Sequence, residues 1–191
     1  NTGTYGQDLG NIDLAKLIER IMIETTLFRL RLSSIELMEV SDELLNTIKK
    51  YETRIAHHLH IPLQGGSDAV LKRMHRKYLT NDYRKLIGKI RMMFPRIAIT
   101  TDLLAGFVGE TEEEFNETCS FIKEMNFSMM HIFPYSRRKN TEADKMPGHL
   151  DPKVINERAH ILLDIAKKMQ IEYEKSFINE NCTVITEQVK N

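Results

Sequence analysis

The sequence predicts an α/β fold in which helices cover a parallel sheet. Two observations carry this expectation. Apolar segments of helical spacing alternate with short strand-like runs, and two of those runs end in glycine turns that open straight into helices. The opening stretch NTGTYGQDLGN is turn-like, and Leu14, Leu17, Ile18, Ile21 and Met22 then fall at helical spacing. Phe28 to Leu32 alternates apolar residues with arginine, as a half-buried strand does. Ser41 is placed to cap a helix carrying Leu44, Leu45, Ile48 and Tyr51. In the strand HLHIPLQ from His58, residues Ile61 and Leu63 mix with His60, Pro62 and Gln64, so polar groups stand where parallel strands usually hold aliphatics.

Gly65 and Gly66 clear side chains from the next turn, and Ser67 with Asp68 can cap the short basic helix after it. Asn81 is expected to cap a helix with Tyr83, Leu86, Ile87, Ile90 and Phe94 on one face, stopped by Pro95. Strand Ile97 to Leu104 runs into Gly106 and Gly109, and Thr111 to Glu114 reads as a capping box for a helix Glu112 to Met125. Strand Ser128 to Phe133 follows. Asp151 and Pro152 begin a long helix through Ala159, Leu162, Leu163, Ala166, Met169 and Tyr173, and Cys182 to Val189 ends the chain as a short strand. The pattern fits a closed or an open sheet equally.

At 191 residues with 41% apolar content, the chain is long enough for one domain with a real core. Basic and acidic residues number 27 each, so no global field draws in nucleic acid, and any such binding must rest on local clusters. The two cysteines, Cys119 and Cys182, lack metal-type spacing, which argues against a disulfide framework and for a reducing compartment. Cys119 shares a helical face with Phe115, Ile122 and Met125 and reads as a small core residue. No apolar run approaches the roughly 20 residues of a membrane span, and no signal peptide opens the chain, so a cytoplasmic location is expected. The start at Asn1 and the unpartnered last strand suggest a piece of something longer.

If the alternation holds, Ser33, Ser34, Glu36, His60, Gln64, Asp102, His131 and Tyr135 converge on the carboxyl-end rim, where parallel α/β folds bind ligands. Ser33 and Ser34 read more simply as partners of loop amides. His58 and His60 share one strand face, a spacing some zinc hydrolases use, with His131 as a third candidate, although strand histidines more often serve as hydrogen-bonded rim or core residues. KRMHRK at 72–77 and RRK at 137–139 form two basic clusters suited to phosphate or carboxylate, or simply to solvent.

The segments TGTYGQDLG, RLRLSSIE, HLHIPLQGGSDAVLKRMHRKY, ITTDLLAGFVGETEEEF and HIFPYSRRKNTEADKMPG together resemble the methylthiotransferase group of radical S-adenosylmethionine enzymes. RLSSIE and HIFPYS are most similar to the branch that modifies threonylcarbamoyladenosine beside the tRNA anticodon. The resemblance implies a partial (β/α) barrel lacking its first strand or strands. It also implies S-adenosylmethionine on a [4Fe-4S] cluster whose three cysteines lie outside this chain, and a second cluster. Residues 1–176 would then be the central part of the barrel domain and 177–191 the start of a carboxyl-terminal β domain.

Carried over to this sequence, the resemblance implies that Glu36, Gln64, Arg76, Asp102 and Gly106 contact the cofactor. It further implies that Tyr135 and Arg138 face the substrate side and that tRNA is the partner. No catalytic residue and no metal ligand is expected within this chain, which by itself should not turn over. The sequence departs from the group's pattern at Leu37, Ala56, Gly65, Val108, Arg137 and Asn140, mostly in turns. The alternatives are the same chemistry on a ribosomal protein, a zinc hydrolase using His58, His60 and His131, or a non-catalytic RNA or nucleotide-binding module. An incomplete barrel also exposes an apolar edge through which the chain could self-associate.

Overall fold

A computed structural model describes residues 2–183. All but the first two residues of the expected strand Cys182 to Val189 lie beyond the described residues. Within them the order is α1 (Leu14–Glu24), α2 (Asp42–Lys50), β1 (His58–His60), α3 (Asp68–Arg73), α4 (Thr80–Met93), β2 (Ala98–Ala105), α5 (Glu112–Met125), β3 (Met129–Pro134), α6 (Glu142–Lys145) and α7 (Pro152–Lys175). The three strands lie side by side in chain order, all parallel, with His60 opposite Thr100 and Asp102 opposite His131. Every strand therefore ends at the same edge of the sheet.

Local chemistry explains the helix starts. Asp13, Ser41, Thr111 and Asp151 each accept an amide hydrogen from the first turn of the helix that follows, and Thr111 with Glu114 closes the expected capping box. Asn126 ends α5 in the left-handed conformation that asparagine tolerates. Helix α7 packs across β2 and β3 and touches α5, while α1 packs on α2. One core unites these layers, including Ile18, Leu45, Ile61, Tyr83, Phe127 and Leu162, each at most 1% exposed.

Four local expectations change. Phe28 to Leu32 is not a regular strand: Leu30 pairs with Ile55, and further on Ser34 with His60, only as isolated parallel bridges. Asn81 lies inside α4, whose cap position is Leu79, and the Asp82 carboxylate accepts the Leu79 amide hydrogen. Ser67 precedes α3 but donates to Glu117 on α5 at 2.6 Å, and Asp68 accepts from Thr80, so neither caps α3 as expected. Leu163 is 47% exposed, off the buried face of α7.

The β1–β2 register shifts along its length. His60 pairs with Thr100, an offset of 40, whereas Gln64 bridges Leu103, an offset of 39, so the 61–63 stretch holds one extra residue. Pro62 has no amide hydrogen for a ladder. Side-chain hydroxyls replace it: Thr101 donates to the Ile61 carbonyl and accepts from the Leu63 amide, both at 2.8 Å, and Tyr83 donates to Ile61 at 2.7 Å. Tyr78 reaches the Pro62 and Leu63 carbonyls at 3.1 and 3.0 Å. The ladder then resumes at Gln64, whose amide donates to Asp102.

Two glycines should respond oppositely to alanine. A Cβ on Gly66 would stand 2.8 Å from the Thr118 Cα, a backbone atom of α5, so Gly66→Ala is expected to cost about 1–3 kcal/mol. Gly88 lies in α4 with nothing within 4 Å of a built Cβ, so Gly88→Ala should gain about 0.5–1 kcal/mol. Urea unfolding midpoints moving in opposite directions would bear this out.

Candidate ligand-binding rim

The expected rim residues divide among separate cavities, with Gln64 and Tyr135 at the carboxyl ends of the strands and His60, Asp102 and His131 beside their middle. The first, of about 330 Å³, is lined by Arg31, Ser33, Ser34, His58, His60, Thr100, Asp102 and His131. His60, Thr100 and Asp102 come together because β1 and β2 place them on the same pleat face. Thr100 Oγ1 lies 3.0 Å from His58 Nε2 and 2.9 Å from His60 Nδ1, and His60 Nε2 lies 3.3 Å from the Asp102 carboxylate. A carboxylate at Asp102 only accepts, which orders the row: His60 donates to Asp102, Thr100 to His60, and His58 to Thr100. Ser33 meets the Thr2 hydroxyl at 2.7 Å, while His131 sits 6.0 Å, ring to ring, from His60.

This arrangement does not favour the zinc-hydrolase alternative. His58 and His60 both point into the Thr100 hydroxyl, and among the described residues no three His, Cys, Asp or Glu side chains assemble in a metal-ligating arrangement.

The second cavity, about 240 Å³, is lined by Gln64, Arg73, His75, Arg76, Leu104, Phe107, Glu142 and Met146 among others. Gln64 has a φ of 66°, the left-handed region that non-glycine residues seldom adopt. Its register partner Leu103 is fully buried, yet Gln64 lines the cleft beside Leu104, so the unusual backbone goes with a side chain turned toward the cavity. Glu36, in the turn before the short 3₁₀ segment Leu37–Glu39, lies 3.8 Å from Arg76. That is a loose pair, and Arg76 Nε is buried with no hydrogen-bond partner. Gly106 closes this end of the sheet with a φ of 71°, and its amide donates to Glu110 at 3.1 Å, so the hydrogen is already committed.

The basic clusters are partly neutralised. Arg73 makes a two-pronged pair with Glu114 at 2.5 and 2.8 Å, His75 lies 3.3 Å from Glu142, and Arg137 meets Asp144 at 2.5 Å. Arg137 thus braces the 137–144 turn instead of adding free charge. Arg138 and Lys139 are exposed on that turn. Tyr135 belongs to a third cavity of about 370 Å³ with Arg137, His149, Leu150 and Asn156, packed between the Phe107 and His149 rings, its hydroxyl buried without a partner. Cys119 is a core residue as expected, and Cys182 is exposed.

Sequence reasoning missed Thr100, Thr101 and the Glu110–Arg158 pair. Two adjacent threonines in an apolar strand and one arginine on the apolar face of α7 were the available signals.

Comparison with known proteins gives a family. The profile of the Radical SAM superfamily matches residues 2–122. The threonylcarbamoyladenosine tRNA methylthiotransferase of Bacillus subtilis is 41% identical over 98% of this chain and 42% of its own length. The Thermotoga maritima enzyme of the same name is 39% identical over 98% of this chain and 43% of its own. A tRNA-2-methylthio-N(6)-dimethylallyladenosine synthase from Thermoanaerobacter pseudethanolicus is 38% identical over 90% of this chain and 36% of its own. The chain therefore spans about two fifths of the length of these curated relatives. Among solved structures, coproporphyrinogen III oxidase from Escherichia coli shares the fold, with a TM-score of 0.65 and 15% identity over 82% of this chain and 36% of its own.

Burial, then the Arg31 and His60 charges, pushes the His58 imidazole down from 6.5 to about 4. Between those values the unfolded chain binds a proton at this ring before the folded one does, so stability is lost as pH falls through that window. His58→Gln removes the titration, and its unfolding free energy should fall less steeply than wild type from pH 6.5 to about 4 in urea melts at stepped pH. Parallel slopes would contradict the uncharged ring.

Proposed function

The chain belongs to the Radical SAM superfamily, and on that premise we propose that it is the central barrel part of a tRNA methylthiotransferase. The substrate we infer is N6-threonylcarbamoyladenosine next to the anticodon, which receives a methylthio group. The observation that carries this reading is identity near 40% along 98% of the chain with two enzymes of that name. Residues 1–176 would be barrel and 177–191 the beginning of a β domain. Among the described residues no helix is long and apolar enough to cross a membrane, in keeping with a cytoplasmic tRNA-modifying enzyme.

The residues present fit S-adenosylmethionine. Arg76 is a cation with an incomplete partner set at the strand ends, suited to a carboxylate by a charge-assisted pair. Gln64 brings an amide to the cleft and Glu36 stands beside Arg76, so a ligand that takes Arg76 would leave the Glu36 carboxylate free to accept from hydroxyl or ammonium groups. Asp102, steadied by His60, offers a fixed acceptor in the first cavity. The turn around Gly106 supplies an apolar wall through Phe107. When bound to a reduced [4Fe-4S] cluster, the cofactor supplies radical chemistry that exchanges an adenine C–H bond for a carbon–sulfur bond. This chain's share is to bind, orient and exclude water. Tyr135 and Arg138 would meet the RNA side, with Lys139 as a further phosphate contact.

Nucleoside mass spectrometry of tRNA from a strain deleted for the complete gene tests the substrate. Loss of the methylthio derivative of threonylcarbamoyladenosine is expected. Unchanged tRNA with an unmodified ribosomal protein would replace this reading with the ribosomal one. In the complete, cluster-reconstituted protein, Arg76→Lys should weaken S-adenosylmethionine binding about tenfold, since an ammonium cannot supply the planar fork of donors. Calorimetry showing wild-type affinity would remove Arg76 from the site.

A further inference from the structure

We propose that Arg158 of α7 is a positioning residue that sets the Gly106–Gly109 turn through the Glu110 carboxylate. The inference rests on the proposed cofactor reading, because that turn follows β2 at the sheet edge where such folds bind ligands and because Phe107 lines the Gln64–Arg76 cleft. Glu110 is 5% exposed and Arg158 6%, a buried ionic pair. Arg158 Nη1 donates to a Glu110 carboxylate oxygen and to the Glu110 backbone carbonyl, each at 2.8 Å. The same carboxylate oxygen accepts the Gly106 amide at 3.1 Å. Arg158 therefore grips both the side chain that holds the start of the turn and the backbone at its end.

The surroundings leave the turn little freedom. Glu112 takes Arg158 Nη2 at 3.1 Å, and the Phe115 ring lies 5.0 Å from the guanidinium carbon. A Cβ on Gly106 would stand 2.8 Å from an Ile155 side-chain carbon of α7. On the far side Arg73 donates to the Val108 carbonyl at 3.2 Å, and the Gly109 amide donates to Gly148 at 2.9 Å. Two buried charges are an expensive way to hold a turn if packing alone were needed, since an apolar pair of similar volume is often as stable. What the pair adds is a directional anchor for one amide and one carbonyl of the turn.

The test uses the complete protein with its clusters reconstituted, and reads S-adenosylmethionine affinity by calorimetry beside thermal stability. Arg158→Lys keeps the charge but cannot serve carboxylate and carbonyl together, and should raise Kd about tenfold. The double variant Glu110→Gln with Arg158→Met removes both charges. It should melt near the wild-type temperature yet keep a Kd raised by about tenfold, because Arg158 no longer fixes the side chain and carbonyl of residue 110 while the buried-charge cost is relieved. Wild-type Kd in Arg158→Lys, or a Kd that recovers together with melting temperature in the double variant, would show a purely structural pair and overturn the proposal. Wild-type protein that binds no S-adenosylmethionine at all would overturn the cofactor reading itself, and this inference with it.

Discussion

The rim depends on one irregularity, the extra residue between His60 and Gln64. A parallel ladder running straight through this stretch would need an amide hydrogen that Pro62 lacks and would carry Gln64 into register with the next residue of β2. Instead the buried hydroxyls of Thr101, Tyr83 and Tyr78 satisfy the carbonyls of Ile61, Pro62 and Leu63 and the Leu63 amide. An unpaired polar group at such a depth costs on the order of 1–3 kcal/mol, so these hydroxyls are what makes the bulge tolerable. The left-handed Gln64 and the glycine pair behind it follow from that solution. Burial holds all three hydroxyls in place and pushes the Tyr78 phenol up to about 12, the Tyr83 phenol higher still.

Charge is arranged to make most arginines structural. Arg73 ties α3 to α5 through Glu114, Arg84 ties α4 to α5 through Glu124, and Arg158 ties α7 to the turn after β2. Arg73, Arg137 and Arg158 thus already have well-placed anions. Arg76 differs from Arg73: its partner is 3.8 Å away, and its Nε is buried without an acceptor whereas Arg73 Nε donates to the Val108 carbonyl. A cation held with its pairing unfinished is one for which a bound carboxylate would improve the electrostatics most, and this sets Arg76 apart from its neighbours on the same basic stretch.

Departures from the resembled group's pattern settle into ordinary stereochemistry. Asn140, where that group has glycine, takes a φ of 69°, and asparagine is among the few residues that accept this conformation. Val108 is 1% exposed and joins the wall of the turn, with its carbonyl held by Arg73. Arg137 folds back on Asp144, whose carboxylate also accepts the Asn140 amide, so the turn braces itself from within. The polar row from His58 to Asp102 shows the same economy, since each hydrogen has a single acceptor once Asp102 is ionised.

The sequence alone determined the alternation of helices and strands, the capping of α2, α5 and α7, and the stop at Pro95. These are local or periodic properties, written in neighbours a few positions apart. Tertiary structure alone decided which charges are spent on packing and which remain for a ligand. Arg73 and Arg76 sit three residues apart in one basic run, and only the approach of α5 to one and of the Glu36 turn to the other distinguishes them. The division of the rim into separate cavities, the register slip at Pro62 and the Glu110–Arg158 anchor were likewise out of reach, because each joins residues distant in the chain, such as Leu63 with Thr101 and Glu110 with Arg158, that no local pattern relates.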